Sequence, residues 1–304
     1  MLAKRFLGTS NLSFGRFGMG YRPPTPLHLA RRVGVWGALP SLLIAKGVSA
    51  PATDNTTGTM PLVGKIIDQG PLGQCTWCST PKAAKISIEG AGVTVASLVG
   101  TEDFSQRIGY ADVREVERGA QDAAGVPLEP LTDSGAMPDD CITVVQQLGL
   151  APMGPLQDGR YNDNSTALVN QEVTLSEVER TVLAVGAYDV NLTATDRTDQ
   201  WKAAINARIG MTMAFFVDTA FMNWDPSRGP VQKIDLNDPN GGGHQVCGPV
   251  AWETSSSLGV VWTYLNSWSA AFGENGFFKI TDRCLMMTID SSIAYDIKIQ
   301  PEAA

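Results

Sequence analysis

Apolar positions change their period about two thirds of the way along this chain. Up to about residue 210 the readable elements are helical. Ile142, Val145 and Leu148 fall on one face, with Asp139 or Asp140 placed to cap that helix and Gly149 to stop it. Asp103 or Ser105 can cap another helix over 107–117. A helix is also predicted after Cys75. Pro81 lies near its second turn, where it removes an amide and crowds the preceding carbonyl, so a short or kinked helix is expected. Farther on, Ser176 followed by Glu179 is a capping-box pattern opening a short helix to about Val185, and 198–208 reads as a helix ending at Gly210. After it the pattern turns strand-like over 211–217, 244–252, 260–266, 276–280 and 294–299, with Gly, Asn, Asp and Ser clusters between. Helices first and mostly antiparallel strands later give an α+β fold. No internal repeat interrupts this order.

Three regions follow: an arm and linker (1–59), a helix-rich lobe (60–160) and a strand-rich lobe (161–304). With 304 residues and 43% hydrophobic content, the chain can bury a substantial core. Charge is divided unevenly. Residues 1–50 hold seven Lys and Arg and no Asp or Glu, which makes the arm +7, while the remaining 16 basic and 31 acidic residues carry −15. Such an arm is expected to dock on an acidic protein surface or an assembly partner. The acidic body argues against nucleic acid as that partner. No stretch reaches the roughly eighteen apolar residues that span a bilayer, since the longest candidate, 33–45, is broken by Gly34, Gly37 and Pro40. Arg31-Arg32 before it mimics a secretory or twin-arginine leader, against which Lys46 and the long preceding segment argue. An organellar transit peptide would also be Arg-rich and free of acid. An intracellular place, or one inside a macromolecular assembly, is favoured over secretion.

Five cysteines in this length imply no dense disulfide framework. Cys75 and Cys78 form a C-x-x-C, but the second ligand pair that a zinc site needs is missing, and so is the βαβ pattern of a redox dithiol. No metal or cofactor is expected. Cys75 is of more interest as a nucleophile. A thiol attacks a carbonyl as thiolate, and a helix N-terminus together with a nearby imidazolium lowers its pKa from about 8.5. The chain has two histidines, and His28 lies among Pro23, Pro24 and Pro26, which leaves His244 as the base. Asn266 can hold the His244 ring in one tautomer and Trp268 can shield that bond. Gln69, six residues before Cys75, can supply one oxyanion donor and the Cys75 amide another. Singly, each has a plain reading: a buried thiol, a packing histidine, a turn asparagine. In this order and with these neighbours, coincidence is a poor account.

The segments Asp68-Gln69-Gly70-Pro71-Leu72-Gly73-Gln74-Cys75-Thr76, Gly243-His244 and Asn266-Ser267-Trp268 through Gly273-Glu274-Asn275-Gly276-Phe277 together resemble the papain-like cysteine peptidase superfamily over about residues 60–300. The likeness is to its bacterial and viral variant, with Leu72 where the family's disulfide cysteine stands. Ser269 and Phe272 depart from the N-S-W-G-x-x-W-G-E-N-G-Y pattern, and Gln74, Thr76 and Pro81 from the usual surroundings of the nucleophile. The resemblance implies a two-lobe fold, a helical lobe followed by an antiparallel, barrel-like lobe, here preceded by an extended basic arm. It also implies a peptidase acting on peptides or proteins through a Cys75 thioester. Gly73, Asp133, Ser134, Gly135 and Gly243 are expected near the substrate cleft. The family's long helical propeptide has no counterpart in 1–59. A competing reading keeps the fold in a structural component of a larger assembly, such as a virus particle, docked by the arm and with activity reduced or lost.

Overall fold

A computed structural model describes residues 20–32, 36–118, 133–153 and 180–298. Nine helices are described: α1 (Pro26–Arg32), α2 (Leu39–Ala45), α3 (Cys75–Gly90), α4 (Val95–Val99), α5 (Gln106–Arg118), α6 (Pro138–Gln147), α7 (Arg197–Asn206), α8 (Thr219–Met222) and α9 (Asp282–Thr288). Seven strands form one sheet: β1 (Gly37–Ala38), β2 (Ala184–Asp189), β3 (Gly210–Val217), β4 (Gly242–Ser255), β5 (Gly259–Leu265), β6 (Phe277–Thr281) and β7 (Ile289–Lys298). Their order across the sheet is β1-β2-β7-β3-β4-β5-β6, antiparallel except for the β1–β2 pair. The α+β class follows from these elements.

The expected barrel does not close. At one edge β1 offers only two residues, and at the other β6 already pairs on its outer side with an isolated residue, Val231, which bonds to Lys279 and Thr281. Neither edge is free to reach the other. Within the described part of the basic arm, α1, α2 and β1 replace extended chain: Leu39, Leu42 and Leu43 are buried, and β1 adds to the sheet beside Tyr188.

Buried β3 explains the centre of the molecule. All eight of its residues are buried because α3 packs against it and α9 does so as well, which is why its sequence, GMTMAFFV, is apolar without alternation. One core cluster gathers Trp201, Trp252, Trp262, Phe215 and Phe278, with Trp201 edge-on to Trp262 at 5.2 Å. A second lies under the helices, around Trp77, Ile86, Tyr110 and Val144.

Helix α3 is neither short nor broken off at Pro81. It runs sixteen residues through it, because the residues from Cys75 to Ile88 are all buried and tertiary packing outweighs the local cost of proline. Lys82, 1% exposed, is held by Asp103 and by the carbonyls of Val63 and Lys65 at 2.8 and 2.6 Å. Ser105 caps α5 through the amide of Ile108 at 3.1 Å. Asp139 and Asp140 do not cap α6. They lie in its first turn behind Pro138, where their charge suits the helix dipole and the N-cap position falls to Met137. The capping-box pair Ser176 and Glu179 lies outside the described residues, and the helix drawn from it to Val185 ends inside β2.

Candidate active site

Cys75 is the first residue of α3, entered through a tight loop whose Gly70 has φ 60° and whose Gly70 amide donates to Asp68 Oδ1 at 2.9 Å. That loop is tied to the chain that leaves β5. The Gln69 amide donates to the Ser267 carbonyl at 2.8 Å, the Ser269 amide to the Ile67 carbonyl at 2.8 Å, and the Ser267 hydroxyl to Gln69 Oε1. Gln69 Nε2 donates to the Leu72 carbonyl at 2.9 Å, and Gln74 Nε2 to the Gln69 carbonyl at 3.1 Å. Gln69 is thus fixed from both ends beside the turn into α3.

His244 sits near the start of β4, opposite Phe215 of β3. Its Nε2 is 2.8 Å from Asn266 Oδ1, and that oxygen also accepts from the Ser267 amide at 2.8 Å. Asn266 is itself anchored, its amide donating to the Gly276 carbonyl at 2.8 Å. Trp268 stacks on the imidazole, ring centroids 4.4 Å apart and planes 29° from parallel. Among the described residues Nδ1 of His244 has no hydrogen-bond partner. The amide of Gln245, the next residue, lies close enough to Cys75 to pull its thiol pKa down, so β4 brings the His244 region against the N-terminus of α3.

Both Cys75 and His244 are 0% exposed. Burial pushes the Cys75 thiol up from its ordinary value, against the backbone amides of Gln245, Gly20 and Thr76 and the Thr76 hydroxyl, which pull it down. Burial likewise drives the His244 imidazole down to about 4, with the Asn266 bond opposing. In this arrangement the thiol and the imidazole are both neutral.

The residues expected around a cleft form a single web. Asp133 Oδ1 accepts from the Gly73 amide at 2.9 Å and from the Tyr110 hydroxyl at 2.8 Å, and the same hydroxyl accepts from the Gly135 amide at 3.0 Å. Ser134 between them is exposed. Gly243 accepts, through its carbonyl, the Tyr21 amide at 3.4 Å. Tyr21 belongs to the segment that covers the site. The Gly20 amide donates to Cys75 Sγ at 3.3 Å, the Ala136 amide to the Gly20 carbonyl at 2.7 Å, and the Arg22 amide to the Ala136 carbonyl at 3.0 Å. A Cβ on Gly20 would stand 1.6 Å from the Gly73 carbonyl oxygen, so only glycine fits.

Tyr110, Ser267, Gly20 and Tyr21 were not singled out from the sequence. Tyr110 reads there as one more apolar position of α5. Gly20 and Tyr21 lie in a Gly/Pro-interrupted run whose contacts are all remote in sequence. The five cysteines are buried thiols. Among the described residues there is no group of three or more His, Cys, Asp or Glu side chains able to hold a metal ion, and no helix long and apolar enough to cross a membrane.

No protein-family model matches the chain, and no curated protein sequence does. Solved structures do. Xylellain, a cysteine protease from Xylella fastidiosa, superposes with a TM-score of 0.63 at 18% identity over 96% of this chain and 100% of that one. Procathepsin B S9 from Trypanosoma congolense gives 0.55 at 14% identity over 98% and 88%. The bromelain protease from Ananas comosus, in complex with the E64 inhibitor, gives 0.51 at 14% over 79% and 96%. The fold is that of the papain-like cysteine peptidases.

Proposed function

We propose that this papain-like fold carries a thiol-dependent peptidase, with Cys75 as nucleophile, His244 as acid and base, Asn266 as the group that orients His244, and Gln69 and the Cys75 amide as oxyanion donors. The observation that carries the reading is the His244 ring. It is bound to Asn266 through Nε2 and stacked on Trp268, its Nδ1 has no hydrogen-bond partner among the described residues, and the next residue, Gln245, brings its amide near the Cys75 thiol. Proton transfer from Sγ to the imidazole gives a thiolate, which adds to the peptide carbonyl carbon. The tetrahedral oxyanion collapses as His244 protonates the leaving nitrogen and the C–N bond breaks. Water then attacks the thioester, giving its proton to His244, and the acid and the free thiol are released. In this reading residues 60–160 bring the nucleophile, 161–304 bring the histidine and asparagine, and within the arm of 1–59 the described residues 20–22 cover the site. Gly73, Asp133, Gly135 and Gly243 line the cleft, with Ser134 at its rim.

For the described part of the arm, three of its cations are paired with acidic residues of the chain itself. Arg22 pairs with Glu117, Arg32 with Asp139 at 2.6 Å and Asp189 at 2.9 Å, and Lys46 with Asp296 at 2.8 Å. The covered site favours a second reading as well, a papain-like component of an assembly that never opens. An epoxysuccinyl thiol-protease inhibitor distinguishes them. The peptidase reading expects an adduct on Cys75 once the segment is displaced, absent from Cys75→Ala and dependent on His244. No adduct on folded protein with residues 20–22 displaced overturns it.

A further inference from the structure

The C-x-x-C of α3 has a second thiol that the peptidase reading does not use. Cys78 stands three residues after Cys75, and Cys247 stands three residues after His244. The two thus lie one step behind the nucleophile and the base, on the same pair of elements, α3 and β4. Both are buried thiols, at 1% and 2% exposure. Together with Lys82, Asn266 and Ser267 they line one small cavity of about 10 Å³, the least that holds a single water. Lys82 follows Cys78 by four residues and so shares its face of α3. Burial pushes the Cys247 thiol up to about 12, and the Lys82 ammonium pulls it the other way. Cys247 also belongs to the core cluster under the helices, with Trp77 and Ala83 of α3, so its side chain faces the helix that carries Cys78.

Cys75 is not the partner that this geometry gives Cys78. Its sulfur accepts the Gly20 amide at 3.3 Å and packs with Tyr21 and Ala214, away from the residues that line the cavity. Across the cavity the neighbouring thiol is Cys247. We propose that Cys78 and Cys247 are a dithiol that a peroxide closes to a disulfide, and that this bond staples α3 to β4 behind Cys75 and His244. One thiol sulfur takes an oxygen from hydrogen peroxide, becoming a sulfenic acid as the first water leaves. The other sulfur then displaces that oxygen, which departs with the second thiol's proton as another water while the S–S bond forms. Two thiols thereby give up two electrons and two protons, and the peroxide takes up both. The cavity supplies room for the sulfurs to turn toward each other. Because burial keeps Cys247 protonated, closure is slow and follows the standing level of oxidant rather than a brief pulse. The bond joins positions 169 apart in sequence, which restrains the unfolded chain far more than the folded one. Asn266 lines the same cavity, so the bridge also packs against the residue that holds His244 Nε2. The staple requires the fold and not peptidase activity.

The test uses the full chain, reduced and then exposed to hydrogen peroxide. Remaining thiols are blocked with N-ethylmaleimide after unfolding, and the peptides are mapped by mass without reduction. The expected product is a Cys78–Cys247 link, two hydrogens lighter than the separate peptides and reversed by dithiothreitol, with Cys141 and Cys284 recovered as blocked thiols. Cys75→Ala, which leaves Cys78 as the one thiol of its tryptic peptide, is expected to give the same link. The linked chain is expected to unfold in urea at a midpoint about 1 M above that of the reduced chain. Cys78→Ala and Cys247→Ala are each compared with their own reduced form, so any loss of stability from the substitution cancels, and neither is expected to gain on oxidation. A Cys75–Cys78 link in place of the expected one overturns the staple, as does oxidation of Cys78 to sulfinic acid with no link. No reaction of Cys78 and Cys247 in the folded chain, at a peroxide level that oxidises both in the urea-unfolded chain, overturns it too, and so does a link that leaves the midpoint unmoved. Peptide hydrolysis or its absence bears on the peptidase reading alone.

Discussion

Replacing His244 by glutamine removes a titrating group whose protonation the fold resists, and the size of the effect follows from its burial. An ordinary histidine titrates near 6.5, and His244 in the folded chain near 4. Between those values the unfolded chain takes up a proton that the folded chain refuses. Stability from this residue is therefore complete above about pH 6.5, falls as pH drops through the window, and is gone by about pH 4. A shift of this size corresponds to about 3 kcal/mol. The glutamine side chain keeps a polar partner for Asn266 and has no such window. The assay is urea unfolding of the parent and His244→Gln at pH 7, 6, 5 and 4, compared as a difference. Asp112 and Asp140, whose carboxyls burial raises to about 6, titrate in both proteins and largely cancel. The variant is expected to gain about 3 kcal/mol on the parent between pH 7 and pH 4. A difference that stays constant over this range would refute the description of His244 as a buried neutral ring.

Lys82→Met should cost about 3–5 kcal/mol in chemical denaturation, because it leaves the Asp103 carboxylate buried without its cation; a loss below about 1 kcal/mol would count against that pair being desolvated. Ser269 holds a left-handed φ of 67°, so Ser269→Gly should raise stability by up to about 1 kcal/mol, seen as a higher urea midpoint. In a variant with residues 20–22 displaced, Gln69→Ala should lower kcat about a hundredfold or more with little change in KM; a change in KM alone would assign Gln69 to binding.

How much of this was legible in the sequence depends on the range of the contacts. The apolar runs of β3 to β7 and the capped helix α5 are local signals, and the strands lie within a few residues of their expected positions. Ser269 is a departure from a glycine pattern, and its positive φ accounts for why glycine suits that position. The length of α3 was hidden because proline's cost is local while the packing that overrides it comes from β3, β4, α5 and α6. Barrel closure failed because it depends on which edges meet, which no strand's own pattern records. The candidate site residues came from order and neighbours, and the structure adds the Asn266–His244–Trp268 stack that sequence only implied. What sequence could not supply is the lid over Cys75. Gly20 and the residues it touches are separated by 53 to 116 positions.

Strand β1 carries a consequence for solution behaviour. Gly37 and Ala38 pair with Tyr188 and Asp189, and they belong to the same N-terminal region that covers the thiol. Any event that strips this region away, by proteolysis or by detachment, also uncovers backbone donors and acceptors along the outer side of β2, an open sheet margin of the kind that recruits further strands. Opening the site and keeping the protein dispersed are therefore opposed. A processed form is expected to self-associate as its concentration rises unless another chain takes the place of β1.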